Sequence, residues 1–222
     1  MTIYNLLHMT ARIAREIQVV LFDVGGVLVE LSGVPTMLAW MNNSVTMEEL
    51  WRLWLSSPVV RQYETGRATT AEFASQIVRE MRLPVSEQEF LTAFTAWPRG
   101  LLPGALDVVR SVPASFKCAT LCNTCGLHWP RVMKELDLEH AFDHHFASHL
   151  TGKIKPDKEA FLHVAETLHC KPSAIFFLDD NALNVEAARK VGMHAAQVKG
   201  PAEARGALLA AGIIATAQNP PA

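Results

Sequence analysis

The sequence predicts an α/β fold: a parallel sheet covered by helices on both faces, in three layers αβα, with an all-helical cap inserted into it. Three observations predict it. Over residues 17–29, and again from about residue 101 onward, short apolar runs alternate with helical patterns, as they do where helices connect the strands of a parallel sheet. Between 31 and 97 only helical spacings and helix-start signals occur. Several apolar runs end in polar side chains, and open parallel sheets bind ligands beyond the carboxyl ends of their strands.

In chain order, "IQVVLFD" (17–23) reads as the first core strand, ending on Asp23 and followed by Val24, Gly25 and Gly26. The insert then carries three capping boxes, Thr46 with Glu49, Thr69 with Glu72 and Ser86 with Glu89. Behind them stand Trp51, Trp54 and Leu55, then Phe73, Ile77 and Met81, then Phe90, Phe94 and Trp97, at helical spacing that reads as packing between helices. "LLPG" (101–104) marks the return to the core. "FKCATLCN" (116–123), "DHHFAS" (143–148), "SAIFFLDD" (173–180) and "MHAAQVKG" (193–200) read as the remaining strands. "HWPRVMKELDL", "DKEAFLHVAETL" and "ALNVEAARKVG" read as helices, the last stopped by Gly192. The expected division is a core of 17–30 and 98–214 and a helical cap of 31–97.

Half of the 222 residues are hydrophobic and mean hydropathy is +0.14, enough for a sizeable core. A net charge of −2 and a pI of about 6.5 give no basic excess for nucleic acid and no acidic tail. "MTIYNLLHMTARIAREIQ" lacks the pattern of a secretory signal, and Glu16 weakens the transit-peptide flavour of Arg12 and Arg15. "GALLAAGIIATA" (206–217) is too short to span a bilayer, so no membrane partner and a cytoplasmic location are expected. The four cysteines are too few for a disulfide scaffold.

Chemistry concentrates at the strand ends. Asp23 ends the first strand, Cys122 and Asn123 the second, and Asp179 with Asp180 a later one. Three carboxylates crowded together require a cation. Oxygen ligands suit Mg²⁺, which keeps several waters and commonly shares its shell with a phosphate. The backbone N–H groups of Val24, Gly25 and Gly26 can form an anion-binding nest, and the Gly25 carbonyl can face the metal. Lys155, in "TGKIKP", can neutralise charge on a phosphoryl group in transfer.

"FDVGGVL", "LCNT", "KIKPDKEAF" and "FFLDDNALNVEAA", in that order over nearly all of 17–212, resemble the haloacid dehalogenase-like superfamily. The most similar branch holds sugar-phosphate phosphatases of the glucose-1-phosphate type. The resemblance implies a Rossmann-like core, a helical cap after the first strand, Mg²⁺ as cofactor, a small phosphorylated metabolite as substrate and an aspartyl-phosphate intermediate. Asp23 then matches the nucleophile and Lys155 the phosphate-stabilising lysine. Cys122 and Asn123 match the phosphate-binding strand end. Asp23, the Gly25 carbonyl and Asp180 match the metal ligands with Asp179 beside them, and Asn184 matches a supporting asparagine.

Two positions depart from the family pattern. Gly25 stands where most family phosphatases carry a second Asp as general acid, a role typically worth about 10²–10⁴-fold. The strand-end motif therefore offers no proton to the leaving oxygen, and leaving groups that depart as anions should suffer least. Cys122 replaces the usual Ser or Thr, and a thiol is a weak donor. A catalytically weak or inactive binder of a phospho-ligand is the alternative. "CNTC" also raises a thioredoxin-like redox motif, or a zinc site of Cys122, Cys125, His128 and one of His140, His144, His145 or His149. In the cap, "YETGRATT" (63–70), with Glu64 and Arg67, is the candidate specificity loop.

Overall fold

The computed structural model describes residues 16–215. The readings made on the N-terminal stretch and on the end of the 206–217 run lie partly outside them. Five strands, β1 (Val19–Phe22), β4 (Lys117–Cys122), β5 (His144–Ala147), β6 (Ile175–Asp179) and β7 (His194–Gln197), form a parallel sheet ordered β5-β4-β1-β6-β7. All five coincide with the expected runs. Alternation explains their apolar character. In β1, Val19 and Leu21 join the core on one face while Val20 and Phe22 join the core on the other; Ile175 and Phe177 oppose Phe176 and Leu178 in β6 in the same way. A strand buried on both faces needs apolar residues at every position.

Between β2 (Val29–Leu31) and β3 (Pro98–Leu101) the chain forms five helices: α1 (Gly33–Trp40), α2 (Met47–Ser56), α3 (Pro58–Glu64), α4 (Thr70–Glu80) and α5 (Glu87–Thr95). The capping boxes at Thr46, Thr69 and Ser86 are each closed in both directions. Each box satisfies two otherwise orphaned donors, and losing such a cap costs about 1 kcal/mol. These helices bury their own apolar cluster around Trp54, Phe73, Phe90, Phe94 and Trp97, with the Tyr63 ring stacked on Phe73 at 4.2 Å.

The antiparallel β2–β3 pair at the stem carries no apolar alternation long enough to read, so sequence periodicity missed it. Helices α6 (Ala105–Arg110), α7 (Ser148–Thr151), α8 (Lys158–Thr167), α9 (Ala182–Lys190) and α10 (Gly200–Ala210) complete the layers. The helix expected over 128–138 is shorter, with a π-helical turn over Arg131–Glu135. Arg131 bends back there to donate to Pro98 O at 2.6 Å and Arg99 O at 3.2 Å. No helix among the described residues is long and apolar enough to cross a membrane.

Candidate active site

In the strand order, the chain runs outward from β1 through β4 to β5 and then resumes on the other side with β6 and β7. That reversal opens a crevice beyond the carboxyl ends of β1 and β6. Asp23 follows β1, and its N–H donates to Leu178 O of β6 at 2.8 Å, which sets it beside Asp179 and Asp180. Oxygens of the three carboxylates lie within 4.8 Å of one another. Lys155 reaches in from the loop before α8, and its Nζ donates to Asp23 Oδ1 and to Asp179 Oδ2, each at 2.7 Å. Lys155 is 3% exposed and Asp179 wholly buried.

Two asparagines hold this cluster. Asn123 clamps the backbone of Lys155: its Nδ2 donates to Lys155 O and its Oδ1 accepts from Lys155 N–H, both at 2.9 Å. Asn184 Nδ2 lies 3.0 Å from both oxygens of Asp179, whose Oδ1 also accepts from Asn181 N–H at 2.8 Å. Both oxygens of Asp179 are thus engaged within the protein. Asp180 is only half-buried, and its side chain is the less committed of the pair.

Each glycine has its own role. Gly26 has φ +72°, and a Cβ there would sit 2.4 Å from Asp180 Oδ2. Its absent side chain lets the Asp180 carboxylate close onto the β1 turn. The expected three-donor nest is corrected here: Gly26 N–H donates to Val29 O at 2.9 Å, closing the turn rather than facing the crevice. Val24 and Gly25 remain as candidate donors. Gly25 adopts no positive φ, and a Cβ there would meet only the end of the Leu31 side chain, at 2.9 Å. The buried Cys122 thiol lies 3.5 Å from Asn123 O.

The charges do not balance within the chain. Burial drives the Asp23 carboxyl up to about 8; Lys155 pulls against that rise, and Asp179 and Asp180 add to it. Burial and then Asp179 raise Asp180 to about 6. Burial disfavours the Lys155 ammonium, but Asp179 and Asp23 outweigh it and hold the lysine charged. One ammonium cannot neutralise three ionised carboxylates in a desolvated cleft, and without a further cation Asp23 keeps its proton at neutral pH. A hard divalent cation with oxygen ligands fits that deficit in charge and in donor type.

A consequence follows for the metal-free protein. With a folded-state pKa of about 8 against an ordinary 3.8, Asp23 retains a proton in the fold that the unfolded chain releases. Its contribution to stability is complete below 3.8 and is lost as the pH rises through 8. His128, which burial depresses to about 4, acts in the opposite sense, but only below its ordinary 6.5. Metal-free protein is therefore expected to lose thermal stability between pH 7 and 8. Melting curves should show that slope in the parent and a distinctly shallower one in Asp23→Asn, where Glu64, raised to about 7, still contributes.

The redox and zinc readings find no support in the geometry. All four cysteines are free, and burial pushes the Cys122 thiol up and Cys125 up to about 11, away from the reactive thiolate. Cys125 packs in the cap cluster, His128 Nε2 donates to Phe94 O at 2.6 Å, and His145 Nδ1 is bonded to Thr120. Among the described residues the carboxylates, not these side chains, converge.

Helix α3 of the helical insert meets the core beside the loop that carries Lys155. Arg61 of α3 pairs with Asp157, two residues beyond Lys155. Gly66, at φ +71°, turns the chain so closely onto α7 that a Cβ would lie 2.5 Å from His149 O. Glu64, half-buried at the end of α3, accepts from Trp54 Nε1 at 3.4 Å and feels the charge of Lys155. Arg67 is exposed, with no side-chain hydrogen bond among the described residues. The Arg61–Asp157 pair went unread in the sequence, although Arg61 stands one helical turn before Glu64 and so shares its face.

Residues 17–192 match the model of the haloacid dehalogenase-like hydrolases. A sesquiterpene phosphatase of Aspergillus oryzae is 28% identical over 177 residues, 78% of this chain and 85% of the relative. A phosphatase of Mycobacterium tuberculosis is 25% identical over 187 residues, 78% of this chain and 86% of its own. Among solved structures, an enzyme of the same family from Bacteroides thetaiotaomicron, in complex with magnesium and inorganic phosphate, is 26% identical, with a TM-score of 0.65 over 82% of this chain and 94% of the other. The strand-end carboxylates and their lysine thus stand in a chain that belongs to the haloacid dehalogenase-like hydrolases.

Proposed function

We propose that the protein is a Mg²⁺-dependent phosphomonoester hydrolase acting on a small phosphorylated metabolite, through a phosphoryl group carried on Asp23. The observation that supports this most is Lys155, held between Asp23 and Asp179 at 2.7 Å from each, at the ends of adjacent strands. Asp23, Asp180 and the Gly25 carbonyl would hold Mg²⁺, with Asp179 beside it. Bound there, the cation would supply electrostatic shielding of the phosphoryl oxygens. Asp179, already taken up by Lys155, Asn181 and Asn184, orients the lysine.

The chemistry of the chain's own residues follows. Asp23 is the nucleophile, and Lys155 faces the charge that develops on the phosphoryl oxygens. Asn123 fixes the lysine through its backbone, while the N–H groups of Val24 and Gly25, with the weak donor Cys122, meet the phosphate. The 31–97 insert serves as a cap over the core of 17–30 and 98–214, excluding water and selecting the substrate. Anomeric sugar phosphates and prenyl phosphates head the candidates. The first follow from the glucose-1-phosphate-type branch that the motifs resemble, and the second from the likeness to a sesquiterpene phosphatase.

Phosphate release from sugar, prenyl, nucleoside and aryl phosphates, with and without Mg²⁺, tests this reading. Release is expected to require Mg²⁺, and Asp180→Asn is expected to raise the Mg²⁺ concentration needed by about 10-fold or more, by removing one charged ligand. Unchanged Mg²⁺ dependence in that variant would remove Asp180 from the metal site. Phosphate binding without release by the parent would favour the non-catalytic binder, for which the absent acid at Gly25 speaks.

A further inference from the structure

Gly25 leaves the hydrolase reading without a proton donor on the β1 turn, and the helical insert carries a carboxyl, Glu64, near enough to the crevice to feel the charge of Lys155. Arg61 and Glu64 lie three residues apart on α3, so they project from one face of it. Arg61 is paired with Asp157, which places that face against the loop carrying Lys155. Gly66 seats the end of the helix directly on α7, where the core backbone leaves no room for a Cβ. Trp54 Nε1 donates to one oxygen of Glu64, which fixes the carboxyl from the cap side. We propose that Glu64 is the proton donor to the leaving oxygen, supplying from the cap what the strand-end motif lacks at Gly25. This rests on the phosphatase reading above.

The groups around Glu64 agree with that role. Trp54 Nε1 donates to it, and Lys155, Cys122 and Cys125 lie near enough for their charges and its own to be felt mutually. Burial raises its carboxyl to about 7, against smaller opposing pulls from Trp54 and Lys155, so that it carries a proton near neutral pH. A general acid works best with a pKa near the working pH. In the first step Asp23 bonds to phosphorus as the ester P–O bond breaks. The departing oxygen takes the Glu64 proton and leaves as an alcohol. In the second step a water oxygen bonds to phosphorus, the Asp23 O–P bond breaks, and the water proton passes to the Glu64 carboxylate. Inorganic phosphate, the Asp23 carboxylate and protonated Glu64 result.

The test is a series of phosphate esters running from aryl to alkyl leaving groups, with the parent and Glu64→Gln assayed in Mg²⁺. Glutamine keeps an acceptor for Trp54 Nε1, and thermal melts verify its fold. The parent should depend weakly on leaving-group basicity. Glu64→Gln should lower kcat/KM on alkyl esters by about 10²–10⁴-fold while changing aryl esters little, so that the dependence becomes steep. Equal loss on both ester classes, no loss on alkyl esters, or a parent already as steep as the variant would each overturn the role of Glu64. A parent that releases no phosphate from any ester would instead overturn the phosphatase reading itself, and the proposal with it.

Discussion

Asp23→Asn protein is expected to release no phosphate above background from any ester the parent cleaves. Loss of a catalytic nucleophile costs on the order of 10⁶-fold elsewhere, and the amide cannot carry the phosphoryl group. The substitution leaves Lys155 bonded to Asp179, and it removes a carboxylate that burial and its neighbours already push up to about 8. The variant should therefore fold, and in the absence of metal it should melt above the parent at pH 8. Activity and stability then move in opposite directions. A variant retaining more than about a thousandth of parental kcat/KM, a loss far short of that scale, would show that another group attacks phosphorus.

Lys155→Met is expected to have the largest effect on stability. The lysine stem packs in the core with its ammonium over the Phe177 ring, 5.5 Å from its centre. Methionine replaces most of that apolar contact but leaves Asp23 and Asp179 without their cation. Removing one partner of a buried pair typically costs about 3–5 kcal/mol. For a chain of this size that corresponds to a fall in melting temperature of roughly 10 °C or more. The loss should shrink on acidification, because a protonated Asp23 needs no counter-charge, and saturating Mg²⁺ should recover part of it. Thermal melts at pH 5 and pH 8 with and without Mg²⁺ separate these contributions. A pH-independent loss would mean that packing, not charge, is what Lys155 supplies.

The legible parts of the molecule were those written in short-range patterns. β1, β4 and β6 are buried on both faces and therefore appear as continuous apolar runs. The capping boxes at Thr46, Thr69 and Ser86 are four-residue signals that need nothing beyond themselves. Asp23, Lys155, Asp179 and Asp180 were readable because each closes a strand or precedes a helix in an ordered set of motifs. Relations across the fold left no such trace. Asn123 matches a phosphate-binding position, yet its amide is committed to the Lys155 backbone, 32 residues away. Gly26 looked like a donor in a nest, but its N–H closes the turn, and its missing side chain makes room for Asp180. β2 and β3 pair over 3 and 4 residues, too few for a period to register.

The two seams between the helical insert and the core differ in kind, and so does the cost of parting each. On one side, Cys125 is packed into the cap's apolar cluster and His128 is bonded to Phe94, so core and cap share a dry interior. On the other, Arg61 and Asp157 meet as an ion pair with about half and a third of their side chains in water. Parting the dry seam would expose aromatic surface at a cost proportional to its area, whereas an exposed ion pair is worth at most about 1 kcal/mol and weakens with salt. The first seam is therefore the costlier to part and the second the cheaper, and added salt should weaken the second while leaving the first in place.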